Sequence, residues 1–372
     1  MTCTLDHVLR IVAPYLSTDL VGVQQLSAIR QLAGHLPPVV RAAIECRLDA
    51  GNNQVDLSQS ISDDREKKLL QKFISGDSYA GAGWDYVRNF IGNWIETDKS
   101  LHNKISNIWF EYDIDPATVK NAISLPGIFL SFNPDGTNTD QYRQALEIVE
   151  RSFDLLLNKP VRKEVVSRLQ TLADKFPDGV YVSNFGIMPA RHPLAIRINI
   201  NNIPVDSVAS FLQDISTKPV AKDLADVIEV AWKFSGHVAL CLDINETVSD
   251  RIGFEMFFNN TKNTDRDIRA CLDFLVAAGY CSANKRNALL DWPGCTDPAT
   301  IAEPWATDLV MENLHEPPDI FNLIERTINH LKLVYQPGRP LEAKVYLAIN
   351  WARMTMTKAR QTRNYKRLVA SS

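Results

Sequence analysis

Residues Leu194-Ala195-Ile196-Arg197-Ile198-Asn199-Ile200-Asn201 alternate without a break: Leu194, Ile196, Ile198 and Ile200 share one side, and Arg197, Asn199 and Asn201 the other. The stretch His237-Val238-Ala239-Leu240-Cys241-Leu242-Asp243-Ile244 repeats the pattern, with Val238, Leu240, Leu242 and Ile244 opposing His237, Cys241 and Asp243. Side chains of a strand point to opposite faces at every second residue, so both stretches read as strands with one apolar and one polar face. Two more read the same way. Ile108, Phe110, Tyr112 and Ile114 oppose Trp109, Glu111 and Asp113, while Ala343, Val345, Leu347 and Ile349 oppose Glu342, Lys344, Tyr346 and Asn350.

Outward from these strands, the chain resolves into pairs of alternating runs. They are Ala43–Leu48 with Val55–Ile61, Ile108–Ile114 with Ile128–Phe132, and Val180–Ile187 with Leu194–Ile200. Val238–Ile244 with Ile252–Phe258 and Leu331–Tyr335 with Leu341–Ile349 complete the series. Turn residues such as Asp49-Ala50-Gly51-Asn52 and Pro337-Gly338-Arg339-Pro340 separate the partners. Helical periodicity fills the gaps at Asp64–Ile74, Trp84–Ile95, Asp140–Leu157, Arg162–Phe176, Val205–Ile215, Asp223–Phe234, Asp265–Ala278, Ala283–Leu290 and Pro318–Ile328. The units repeat in structure and not in sequence. The fold class expected is α+β, a closed ten-stranded antiparallel barrel made of five hairpins and surrounded by helices. One domain is expected over residues 1–372, with a helical lead-in at 1–40 and a basic tail at 352–372 that reads as a solvated end.

Closure follows from the polar faces. They are not the Lys/Glu/Thr mixture of a wet sheet surface, because Trp109, Phe129, Tyr181, Phe185, Phe257 and Tyr346 stand among their charges. Ten strands without edge protection are best disposed of by closing on themselves. A barrel of that width leaves a lumen too wide for side chains alone to fill, so it holds solvent or a ligand. The apolar faces then meet the amphipathic helices.

Bulk composition excludes several function classes. The chain has 372 residues, 45% hydrophobic and 23% charged, with net charge -4, so no global field recruits nucleic acid or an anionic membrane. No stretch is long and apolar enough to span a bilayer, and Asp6, His7 and Arg10 interrupt what would have to be a leader. The six cysteines have no paired close spacing and the seven histidines no HExxH, so free thiols and a cytoplasmic location are expected.

The lumen-facing charges fall into two groups. The cations are Arg47, Arg197, Arg251, Lys332 and Lys344; the acids are Glu45, Asp56, Glu111, Asp113, Asp243, Glu255 and Glu342. Enclosed cations need an anion to offset their desolvation, and Arg forks and Lys ammonium groups both suit phosphate, with Tyr hydroxyls adding donors. The same cations can instead simply pair with the acids.

Helix–strand–strand–helix units repeated five times into such a barrel resemble the aromatic prenyltransferases of the ABBA, or PT-barrel, class over about residues 40 to 350. The tryptophan-prenylating branch holds its prenyl diphosphate with alternating Lys/Arg-x-Tyr on barrel strands. Lys344-Val345-Tyr346 matches that pattern, and Arg251 and Lys332 stand where similar cations would. That branch places a Glu on the first barrel strand to engage the aromatic acceptor, and Glu45 in Ile44-Glu45-Cys46-Arg47 matches it. Two departures stand out. The eighth strand, Arg251-Ile252-Gly253-Phe254-Glu255, has an acid where a second tyrosine would be, and the third carries Glu111 and Asp113 where a cation would be.

The resemblance implies transfer of an allylic prenyl group from its diphosphate to an aromatic or other electron-rich acceptor, small molecule or peptide, in natural-product or modified-peptide biosynthesis. Arg47, Arg197, Arg251, Lys332, Lys344 and Tyr346 would hold the diphosphate. Trp109, Tyr181, Phe185 and Phe257 would shield the allylic cation. Glu45 or Glu111 would orient the acceptor and take its proton. Four readings stay open. No cofactor is needed, or Mg²⁺ joins the acids, Asp113 and Asp243 among them, to the diphosphate. Alternatively the acids bind a cationic acceptor such as an arginine or amine, or the barrel does not catalyse and holds a peptide or metabolite for partner enzymes.

Overall fold

In the computed structural model, residues 4–62, 64–76, 79, 82–96, 101, 104–117, 123–132, 139–191, 193–215, 222–258, 264–296 and 320–355 are described. Strands β1 (Arg41–Arg47), β2 (Val55–Ile61), β3 (Asn107–Asp113), β4 (Gly127–Ser131), β5 (Tyr181–Ile187), β6 (Ile196–Asn201), β7 (His237–Ile244) and β8 (Val248–Phe257) pair in chain order. Beyond the short β9 (Gly294–Thr296), β10 (Ile320–Tyr335) joins β8 and β11 (Glu342–Thr355), and β11 pairs with β1 to close the ring of ten. All pairings are antiparallel, as the sequence predicts, and the first and last strands meet from Arg41↔Asn350 to Arg47↔Lys344.

The apolar strand faces meet helices. Ile198, Leu240, Phe254 and Val345 are all fully buried, and Phe254 packs edge-on against Trp232 of the helix Lys222–Phe234. The lead-in folds as helices Leu5–Val12 and Val23–Ala33. The β1–β2 turn is held from below by Lys285, whose ammonium donates to the carbonyls of Arg47, Asp49 and Asn52 and is otherwise buried. Among the described residues no helix is long and apolar enough to cross a membrane.

Two sequence readings are corrected. Residues 318–328 were expected to be helical because Leu323, Ile324 and Ile328 recur at helical spacing, yet β10 runs through 320–328 as strand, and 318 and 319 lie outside the described residues. The second concerns β5. Its register shifts between Val182 and Asn184, a bulge that inverts the facing of everything after it. Tyr181 therefore pairs with Asn201, whereas Phe185 pairs with Ile198 on the helix side. Phe185 is fully buried against Tyr142 and Phe132, so it is core and not a wall of the lumen. The basic tail begins on β11, and residues 356–372 lie outside those described.

Candidate functional site

Inside the barrel lies a cavity of about 240 Å³, lined among others by Trp109, Phe129 and Phe257 at its walls and by Glu111, Arg197, Lys332 and Tyr346. Ala43, Ser58, Asn184, Asn199, Glu255, Asn329 and His330 complete the lining. Period-2 facing accounts for Trp109, Glu111, Arg197, Phe257, Lys332 and Tyr346, all foreseen from the sequence. Tyr181 is not part of this lining. His330 shares the facing of Lys332, two residues on, and was missed because the strand was read as beginning at Leu331 after a helix over 318–328.

Two glycines let large side chains lie across their strands. A Cβ on Gly186 would stand 2.1 Å from the Phe129 ring, and one on Gly253 would stand 2.7 Å from Lys332 Cε. Along one wall, His237 stacks on Phe257 at 5.0 Å, Phe257 meets His330 at a tilt at 4.9 Å, and His330 stacks on Tyr346 at 4.0 Å. Burial pushes His330 down to about 4, so its imidazole is neutral near pH 7.

Every one of the five lumen cations is already paired. Arg197 grips Asp243 with two hydrogen bonds of 2.7 and 2.9 Å, and Lys332 donates to Glu255 at 2.8 Å. Arg47 binds Glu45 and, at 3.0 Å, Asp56, while Lys344 lies 2.9 Å from Glu45. Arg251 reaches Glu342 at 3.4 Å. Burial alone would raise Glu45, but Lys344, Arg47 and Lys332 outweigh it and hold the carboxylate well below the ordinary range. So Glu45 faces the lumen but is committed to Arg47 and Lys344.

Glu111 is the exception. Among the described residues no hydrogen bond or ion pair reaches it, and it borders both the main cavity and a smaller one of about 120 Å³ beside Asp113 and Arg191. Burial, then repulsion from Glu45, pushes its carboxyl up to about 7, and the same two causes raise Asp56 to about 6.

Glu45, Asp56 and Glu111 bring carboxylate oxygens within 4.8 Å of one another. The donor chemistry nevertheless does not fit Mg²⁺. Glu45 Oε1 and Asp56 Oδ2 already accept from Arg47, and Lys344 approaches Glu45 as well, so a divalent ion would meet two buried cations at its ligands. Asp113 and Asp243, the other acids considered for metal, are held by Arg191 and Arg197 and lie outside this cluster.

The raised Glu111 carboxyl makes stability fall with pH. Between the ordinary value of 4.5 and about 7 the folded chain keeps a proton that the unfolded chain has released, so raising pH favours unfolding across that window. Glu111→Gln should remove about 3 kcal/mol of this loss between about pH 5 and about pH 8. Denaturant midpoints at the two pH values check it, and parallel slopes for variant and parent would reject the assignment.

No family model matches the chain, and no curated protein does. Solved structures do. 5-Dimethylallyltryptophan synthase from Streptomyces coelicolor is 11% identical with a TM-score of 0.54, over 92% of this chain and 95% of that one. The apo form of the prenyltransferase PriB is 13% identical with a TM-score of 0.51, over 92% and 93%. AnaPT from Neosartorya fischeri is 10% identical with a TM-score of 0.51, over 92% and 94%. With its ten strands closed β11 to β1 and its helices outside, this chain has the PT-barrel fold of the aromatic prenyltransferases.

Proposed function

We propose that this chain transfers an allylic prenyl group from its diphosphate to a nucleophile held in the barrel. The observation that carries the reading is a convergence of cations on one carboxylate. Glu342 lies 3.0 Å from Arg47 Nε, 3.4 Å from Lys344 Nζ and 3.4 Å from Arg251 Nη2. Glu342 is 32% exposed, whereas the Arg47 and Lys344 side chains are 6% and 9% exposed. Arg47 Nε is buried and makes no aligned hydrogen bond to it. Glu342 thus acts as a stand-in anion in a cradle it satisfies poorly. A diphosphate offers more charge and more acceptor oxygens, and displaces it toward solvent.

The cradle and the cavity adjoin along two strands. Lys344 is two residues from Tyr346 on β11, and Arg47 four from Ala43 on β1, both cavity residues. The allylic C–O bond breaks with its electron pair leaving on the diphosphate. Trp109, Phe129 and Phe257 exclude water and face the carbocation. The nucleophile's electron pair forms the new bond, and its proton passes to Glu111. PriB has been crystallised with L-tryptophan and dimethylallyl thiolodiphosphate, which supports a diphosphate and an acceptor sharing such a barrel. Cys46, Cys241, Cys271 and Cys281 are free thiols, in keeping with a cytoplasmic tailoring enzyme for small molecules or peptides.

A second reading rests on the pairing itself. With each lumen cation held by a carboxylate, the barrel is also suited to hold a peptide or metabolite without catalysis. Thermal shifts with dimethylallyl, geranyl and farnesyl diphosphates separate the two, each measured with and without Mg²⁺. A diphosphate at about 100 times its dissociation constant should add about 2.7 kcal/mol. Absence of any shift hands the function to the second reading.

A further inference from the structure

The cavity's unsatisfied polar atoms describe what it binds. Asn199 Nδ2 donates at 2.8 Å to Glu255 Oε2, and an ionised carboxylate can only accept, so the amide cannot be reversed. Asn199 Oδ1 is left buried with no partner. The Glu111 carboxyl has none among the described residues either. His330 is 6% exposed and its Nε2 is likewise unpartnered, while Asn329 lies 3.1 Å from Nδ1. That nitrogen donates or accepts according to tautomer. The cavity therefore presents two free acceptors, one adaptable nitrogen and no free cation, since Arg197 and Lys332 are satisfied by Asp243 and Glu255.

Charge points the same way. With each cation facing the cavity neutralised by its own carboxylate, the Glu111 carboxyl is the acid in excess. Trp109, Phe129 and Phe257 line the same cavity. An indole or phenol offers one donor and would strand an acceptor in a buried site, at a cost comparable to a lost hydrogen bond. An ammonium is compact and strongly hydrated and does not stack. A guanidinium is planar, carries five N–H donors and one positive charge, and stacks on aromatic rings.

We propose that the nucleophile held in the lumen is an alkylguanidinium, as on an arginine side chain, hydrogen-bonded to Glu111 and Asn199 Oδ1 and lying against Trp109, Phe129 and Phe257. This rests on the transferase reading for its chemistry but not for its binding. As a guanidinium nitrogen forms its bond to the allylic carbon, one N–H proton passes to the Glu111 carboxylate and the diphosphate leaves with the C–O electron pair. The product is a prenylated guanidine, which remains protonated.

Calorimetry on the full chain without diphosphate tests the binding. The probes are agmatine, N-acetyl-arginine methylamide and the corresponding lysine and tryptophan methylamides. Agmatine against the blocked arginine distinguishes a small guanidine from a peptide. Both guanidines should bind at least about tenfold tighter than the lysine and tryptophan probes, and Glu111→Gln should weaken them about 10- to 150-fold. If Glu111→Gln fails to fold, Trp109→Leu serves, and it too should weaken the guanidines. Equal or tighter binding of the tryptophan probe, no guanidine binding, or guanidine binding indifferent to both variants overturns the inference. A turnover assay with dimethylallyl diphosphate keeps the two claims apart. Guanidine binding without turnover sinks the transferase reading alone, and turnover on indoles without guanidine binding sinks this inference alone.

Discussion

Lys332→Met is expected to cost about 3–5 kcal/mol of stability, because it breaks a buried ion pair from one side. The Lys332 and Glu255 side chains are 6% and 9% exposed and 2.8 Å apart. Burial alone would lower Lys332, yet Cys241 and Glu255 outweigh it and raise the ammonium above its ordinary value, so it is charged at any physiological pH. Removing it leaves the Glu255 carboxylate buried with Asn199 Nδ2 as its remaining donor. Methionine follows the same path beside Gly253, so the loss is electrostatic and not a cavity effect. The double variant Lys332→Met/Glu255→Leu should recover most of the stability, since a well-packed apolar replacement of a buried pair is close to neutral. Urea denaturation of the two single variants and the double variant measures the coupling. A single variant as stable as the parent would show that Lys332 is not committed to Glu255.

The cradle gives the second large effect, and its signature is a pair of opposite signs. Lys344→Ala should weaken an allylic diphosphate about 10- to 150-fold, the worth of one charge-assisted contact to an anion. It should also lower the melting temperature, because Glu45 loses its 2.9 Å contact and keeps Arg47. Glu342→Gln should tighten the same diphosphate, because it removes the anion that competes for Arg47, Lys344 and Arg251. Isothermal titration of both variants with dimethylallyl diphosphate reads the two signs directly. Should Glu342→Gln leave affinity unchanged or weaken it, the convergence on Glu342 is structural and the cations bind no substrate there.

Much of this was legible in the chain itself. The unbroken alternation of Leu194–Asn201 and His237–Ile244 determined strands, their apolar faces and the placement of Arg197, Cys241 and Asp243 toward the interior, because side-chain direction in a strand has a period of 2 and needs no tertiary information. Repetition of the hairpin unit, with no sheet edge protected, determined closure. The alternation is blind wherever a residue is inserted. At the bulge between Val182 and Asn184 the phase inverts, and Phe185 moves from the expected wall of the lumen into the helix-packed core. His330 went unseen for another reason: it keeps the phase of Lys332, but helical spacing upstream put the start of the strand at Leu331, one residue too late.

Partner choice was the other quantity that local pattern does not carry. Alternation predicted five cations and seven acids facing inward, but whether a given cation is free depends on which strands stand side by side and at what stagger. Arg197 meets Asp243 because the β6–β7 register sets them opposite, and Lys332 meets Glu255 because the β8–β10 register does. Three cations converge on Glu342, while Glu111 opposes Ser58 and Gly127, neither of which carries a charge. Apart from Tyr181, Phe185 and His330, the sequence by itself determined which aromatic and charged side chains line the cavity. Only the tertiary structure decided which of them neutralise one another and which carboxyl is left over, because charge pairing acts across strands that are far apart in the chain.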